Sequence, residues 1–383
     1  MKQLLCRALL ISMCSITISA CGWWGGEVEI EPAELVDFEA EKEVDVLWSQ
    51  SVGAGLGEAF NKLSLAINGD AIYALDVEGA IVAFDRHNGS ALWQVELDTP
   101  LVGGVGVGPN HVAVATESGE IVMLSADDGT EMWRQQMSSE TLSPVQMNTD
   151  MAVAQLQNGK LVAMDISSGD HLWTYDSQIP RLTLRGTSAP IVAANVTIAG
   201  FANGKLVAVR NDSGAALWER QVTVPEGKTE LERLIDIDSR PLYIDGVVYI
   251  VSYQGKLVAV SASDAQILWT QDASSYQSLA AGFGNIYVSQ ANGFIEAFDQ
   301  RSSASVWRQA ALENRQSTST AVLGTTVVVG DFEGYLHFMS QIDGHFVARY
   351  KVDSDGLRGD MAVMDDVLYV LGNGGRLAAL QLN

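Results

Sequence analysis

Residues 72–94 read IYALDVEGAIVAFDRHNGSALWQ, and the same plan returns at 112–134 as VAVATESGEIVMLSADDGTEMWR and at 151–174 as MAVAQLQNGKLVAMDISSGDHLWT. Each copy is an apolar run, a glycine turn, a second apolar run, a turn rich in Asp, Asn, Ser and Gly, and then Leu or Met before Trp. Short apolar runs bounded by such turns read as buried strands. Indexed on the first glycine, the copies fall at Gly79, Gly119, Gly159, Gly204, Gly255, Gly293, Gly334 and Gly375. A tryptophan stands fourteen positions after six of these, at Trp93, Trp133, Trp173, Trp218, Trp269 and Trp307. The seventh copy has Ala348 there, and the eighth runs out of chain at Asn383.

Repeats of about 40–45 residues with four short strands are propeller blades. The eighth copy lacks its outer strand, and Val46-Leu47-Trp48-Ser49 supplies the matching sequence at the other end of the chain. The expected fold is all-β: an eight-bladed β-propeller of four-stranded blades over 44–383, closed by the N-terminal strand so that no sheet edge is left free. The index glycines suit tight hairpins, and each Trp offers a large apolar face to a neighbouring blade. Residues fixed by the repeat in this way are structural.

Composition narrows the function. The 383 residues are 47% hydrophobic, too apolar for a disordered chain. With 47 acidic against 23 basic residues the formal charge is −24, which repels nucleic acid over most of the surface. No uninterrupted apolar stretch reaches the ~18 residues of a membrane span, so a polytopic membrane protein is excluded.

The N-terminus reads as an address. Lys2 and Arg7 form a basic head, and Ala8 to Ala20 is a short, mainly apolar run, the layout of a secretory signal over residues 1–20. Ile18-Ser19-Ala20-Cys21 resembles the lipobox of bacterial lipoproteins, which implies lipidation of Cys21. The cysteines are Cys6, Cys14 and Cys21, so cleavage leaves Cys21 as the lone thiol, an acyl acceptor. Two or more acyl chains anchor stably where one does not. Gly22 rather than Asp after the cysteine points to the outer membrane. Residues 21–43 then form a lipidated acidic tether; its eight acids from Glu27 to Glu43, followed by Asp45, are offset only by Lys42, so an extended, solvated segment is expected.

Spacing also marks where the chain departs from its own rule. Successive index glycines are 40, 40, 45, 51, 38, 41 and 41 residues apart, and the two long intervals adjoin. One holds RLTLRGTSAP at 181–190, the other ERLIDIDSRP at 232–241. Insertions over the period map to loops on a face of the disc, often the binding face. Leu182 and Leu184 alternate with Thr183 before Arg185; extended, the segment shows two leucines on one side and a guanidinium suited to a carboxylate. The same residues could instead pack the loop onto the disc, with Arg185 paired to Asp236 or Asp238 inside the protein. Elsewhere the five histidines are scattered without ligand spacing. Asp353-Ser354-Asp355-Gly356 lacks the later ligands of a calcium loop and reads as a turn.

Two resemblances follow from these residues. The GxLxALDxxxGxxLW repeat is similar to that of the pyrroloquinoline-quinone propellers, which would imply a periplasmic quinone- and calcium-dependent dehydrogenase. With Cys21 as the only mature cysteine, the adjacent pair often found in such enzymes is impossible, and their long pocket-building insertions are missing. The chain as a whole resembles the BamB family, the propeller lipoproteins of the outer-membrane β-barrel assembly machinery. The lipobox, the eight repeats with N-terminal closure, the 181–190 and 232–241 loops and GDFEGYLHF at 330–338 carry that resemblance. It implies a non-catalytic scaffold without cofactor or metal, lipid-anchored in the outer membrane and facing the periplasm. It also implies binding to the POTRA domains of the barrel-inserting subunit, through Leu182, Leu184 and Arg185 of the first loop and Asp236 and Asp238 of the second. Unfolded outer-membrane proteins are a further possible partner, and a free-standing periplasmic chaperone for them stays open.

Overall fold

A computed structural model of the protein describes residues 31–58 and 61–383. The signal segment 1–20, Cys21 and the first part of the tether lie outside the described residues. Eight sheets, each with four antiparallel strands, follow one another along the chain, the second carrying one added parallel strand. The third blade shows the plan: Gln146–Met147, Met151–Gln155, Lys160–Asp165 and His171–Asp176 pair in that order. The two middle strands of each blade are covered on both faces by neighbouring blades. Val112 to Ala115 and Ile121 to Leu124 are accordingly almost wholly buried, which is why they read as unbroken apolar runs rather than as alternation.

The eighth blade is built from both chain ends, as the repeat count requires. Val44–Ser51 pairs antiparallel with Arg376–Leu382, from Val44 opposite Leu382 to Ser51 opposite Arg376. A bulge lies just before Trp48, and the same irregularity recurs in the outer strand of every other blade. It turns the residue preceding each Trp outward, so Leu92, Met132, Leu172, Leu217 and Leu268 stand exposed.

The tryptophans do more than fill space. Each indole N–H donates to a backbone carbonyl in the second turn of the next blade: Trp48 to Arg86, Trp93 to Ala126, Trp133 to Ile166, Trp173 to Asn211, Trp218 to Ala262, Trp269 to Gln300 and Trp307 to Gln341, at 2.6–3.1 Å. In five of these turns the ring lies against a glycine of positive φ. At Gly169 a Cβ would stand 2.7 Å from the Trp133 ring. The missing seventh tryptophan now has a reason. Its partner would be the corresponding turn of the eighth blade, and there is none, because that blade's third strand ends at Leu382 and its outer strand enters from Val44.

Residues 33–43 occupy this seam, a departure from the solvated tether expected there. Glu43 and Asn383 exchange backbone hydrogen bonds at 3.1 and 2.9 Å, and the Glu41 and Lys42 amides both donate to Val347 O, at 2.9 and 3.1 Å. Phe38 packs on Phe346 at 5.5 Å between ring centroids, with the Arg349 guanidinium 4.9 Å from its face. Further upstream Arg315 donates to Ala33 O at 2.8 Å. Beneath the strap, Arg315 and His337 both reach the buried Asp331 carboxylate, at 2.8 and 2.9 Å. The acids Glu34, Asp37, Glu39, Glu41 and Glu43 do remain exposed, as their charge requires; it is Phe38 and the backbone that dock.

Candidate functional site

Connections from each outer strand to the next inner strand all emerge on one face of the disc, and both insertions lie there. The second insertion opens with a capping box: the Lys228 and Thr229 amides donate to the Glu232 carboxylate at 2.7 and 3.2 Å, and the Glu232 amide donates back to Thr229 Oγ1 at 3.2 Å. The turn leaves Leu231 two-thirds exposed. The chain then dives inward: Leu234, Ile235, Asp236, Ile237, Asp238 and Ser239 are all buried.

That buried stretch is the floor under the first insertion. The Leu184 amide donates to the Asp236 carboxylate. Gly186 lies directly over Asp238, where a Cβ would stand 2.4 Å from a carboxylate oxygen. Ser188 Oγ donates to Ser239 O at 2.8 Å, and Ser143 Oγ to Ser188 O at 3.1 Å. From the far side of the axis, Lys62 Nζ donates to Asp238 O at 2.8 Å and to Thr187 O at 3.3 Å. The loop above this floor presents Leu182, which is 42% exposed, the half-buried Leu184, and Arg185, whose exposed guanidinium meets Glu140 at 3.1 Å.

Burial together with the neighbouring Asp238 charge pushes the Asp236 carboxyl up to about 8, and burial pushes Asp238 upward as well. At 1% and 6% exposure, the Asp236 and Asp238 side chains do not face solvent. The structure places both beneath the loop, Asp236 accepting from the Leu184 amide, rather than at the exposed tip with Leu182 and Arg185. The alternative in which they pair with Arg185 is also not realised, since the guanidinium turns to Glu140.

Three residues of the site escaped the sequence reading. Leu231 had a legible signal, since Thr229-Glu230-Leu231-Glu232 is a capping-box pattern. Glu140 and Lys62 had none, because Glu140 comes from the preceding inter-blade connection, one repeat upstream, and Lys62 from a strand added to the second blade. The residues scanned for other chemistry take structural places: His337 is buried against Asp331, and Asp353 caps its own turn through the Asp355 amide at 3.1 Å. Among the described residues no group of three His, Cys, Asp or Glu side chains could hold a metal ion. The arrangement presents Leu182 and a Glu140-paired Arg185 above a buried floor.

The family model described as outer membrane protein assembly factor BamB matches residues 77–309 and 291–383. The chain belongs to the BamB family. Its similarity to the Pseudomonas aeruginosa outer membrane protein assembly factor BamB is 52% identity over 351 residues, 92% of each chain. The Shewanella oneidensis BamB is 35% identical over 395 residues, covering 100% of this chain and 98% of that one. The crystal structure of BamB from Moraxella catarrhalis superposes with a TM-score of 0.82 at 25% identity, over 88% of this chain and 100% of the other. A europium-containing methanol dehydrogenase reaches a TM-score of 0.69 at 15% identity, over 85% and 84% of the two chains, which shows the shared propeller alone. BamB membership sets the chain among non-catalytic assembly factors, apart from the dehydrogenases whose blades it shares.

Proposed function

We propose that this protein is a scaffold of the outer-membrane β-barrel assembly machinery that docks the POTRA domains of the barrel-inserting subunit through the loop 182–185. The observation that carries the reading is the contrast within one small region: Leu182 and Arg185 stand exposed at the tip, while the segment 234–239 beneath them is buried and tied to the loop by hydrogen bonds from the Leu184 amide and Ser188. A presented loop on a fixed base loses little freedom on binding, which favours affinity. Leu182 and Leu184 supply apolar contact and Arg185 a planar donor for a partner carboxylate. Asp236 and Asp238 serve the same surface as positioning residues.

Arg185→Glu tests this. The Arg185–Glu140 pair is half exposed, so its loss contributes little to stability. At a desolvated interface the reversed charge is repelled. The expected outcome is a drop of at least about tenfold in capture of the barrel-inserting subunit, with an unchanged melting temperature. Wild-type capture would place the interface elsewhere on the disc.

Anchoring belongs to the same proposal: the outer membrane holds the protein on its periplasmic face through acyl chains on Cys21. Cys21→Ser is expected to give a folded propeller that no longer sediments with membranes when the partner subunit is absent. Sedimentation of the Ser variant under those conditions would remove the lipid anchor from the account.

A further inference from the structure

The docking loop is not assembled by its own insertion alone. Residues 62–64 leave the closing strand behind, travel toward the disc axis and join the second blade as an added inner strand. Lys62 and Leu63 pair in parallel with Gly103 and Gly104, and the Ser64 amide donates to Gly104 O at 2.8 Å. From this inner position the Lys62 side chain crosses toward the fourth and fifth blades. There its ammonium bonds the main-chain carbonyls of Asp238 and Thr187, one from the root of each insertion. It sits at the wall of an axial cavity of about 710 Å³ that Thr187 and Asp238 also line. The ammonium ties the two backbones together and lies near two buried carboxyl groups as the cation that acts on both.

We infer that Lys62 is a positioning residue of the docking surface, a latch that clamps the roots of both inserted loops so that partner capture depends on a segment from the opposite side of the axis. The inference rests on the docking reading given above. Its logic is geometric. Thr187 is three residues from Leu184, and Asp238 lies under Gly186; fixing both carbonyls fixes the height and tilt of the exposed tip. A charge-assisted bond to a backbone carbonyl is among the stronger polar contacts available, and here both are part-buried. Removal of the ammonium frees the roots without touching a residue that meets the partner.

The test uses the full lipoprotein in detergent and the partner subunit's POTRA segment. Lys62→Met is expected to weaken capture at least tenfold, and amide exchange is expected to quicken in 181–190 and 232–241 while the strands of the first and sixth blades keep their protection. Lys62→Arg, which restores a cation with several donors, is expected to return capture to within about threefold of wild type. Because Lys62→Met leaves two buried carboxyl groups without their cation, the double variant Lys62→Met/Asp238→Asn keeps the charge balance. It is expected to melt like wild type and still capture poorly. Wild-type capture by either Met variant overturns the latch. So does loss of capture with quickened exchange throughout the disc and no rescue by Arg, which would mark Lys62 as a general structural residue. Arg185→Glu is measured in parallel. If it abolishes capture while Lys62→Met does not, the latch alone falls; if it leaves capture intact, the docking reading falls with it.

Discussion

Removal of the closing strand Val44–Ser51 is expected to abolish the cooperative melting transition of the disc. The strand pairs along its length with Arg376–Leu382, and without it that strand becomes a bare sheet edge. Trp48 is lost as well; it is 8% exposed, packs on Tyr369 at 6.0 Å between centroids and donates to Arg86 O at 2.8 Å. Truncation of a buried Trp costs about 3–5 kcal/mol by itself. Each lost ladder hydrogen bond adds about 1 kcal/mol. A domain whose whole margin is about 5–15 kcal/mol does not survive the sum as a single cooperative unit. Calorimetry on the deletion, beside Trp48→Ala as the milder lesion, measures this. An unchanged transition in the deletion would mean that the last blade is completed by other residues.

The second large effect concerns Asp236, where Ala and Asn should behave oppositely. Asp236→Ala removes the acceptor of the Leu184 amide and opens space under the loop, so capture of the partner should fall at least tenfold and stability should drop. Asp236→Asn retains a carbonyl for that amide and should capture like wild type. If the carboxylate itself touched the partner, Asn would fail as Ala does. The two variants also differ in pH behaviour. The folded carboxyl titrates near 8, far above an unfolded aspartate near 3.9, so the folded state holds an extra proton between those values. Its contribution to stability is full below pH ~4 and is lost at about 1.4 kcal/mol per pH unit as pH rises toward 8. The melting temperature of the wild type should therefore fall between pH 6 and pH 9 more steeply than that of Asp236→Asn. Parallel curves for the two proteins would show that Asp236 carries no such proton. The charged groups acting on this carboxyl are Asp238 and Lys62.

The propeller was legible because its signal repeats: the glycine and the tryptophan mark each blade at fixed offsets, and a missing outer strand at one end matched a surplus one at the other. Ala348 was visible as a gap in the pattern, but its cause was not. That cause is a turn absent from a different blade, which only the closed ring brings alongside. The strap over 33–43 was hidden for another reason. Its acids do stay in water, and a single Phe38 among them has no periodicity to announce that it docks. In the candidate site, Leu182, Leu184 and Arg185 stood out through loop position, and Leu182 and Arg185 are exposed there. Asp236 and Asp238 stood out in the second loop as surface contacts, and they lie buried beneath the first. Their alternation with Ile235 and Ile237 imitates a strand with one wet face, whereas the segment is irregular and all four side chains are buried. Burial of a carboxyl pair cannot be read from two letters when the cation beside it sits 174 positions earlier, at Lys62.

The strap at the seam also bears on how copies of this chain avoid one another. A blade completed by a strand from the far end of the chain has a slot that any neighbouring copy could fill, the usual route to a swapped dimer. Here the stretch just upstream of that strand is already bound to its own seventh blade, through Val347 and Phe346. Val44 is thereby held beside Leu382 on a short leash, and insertion into its own slot becomes an intramolecular event at millimolar effective concentration or higher. Crowding of many copies, which would otherwise favour exchange, meets a competitor that is always present and always nearer. The docked strap thus acts as a guard of monomeric closure.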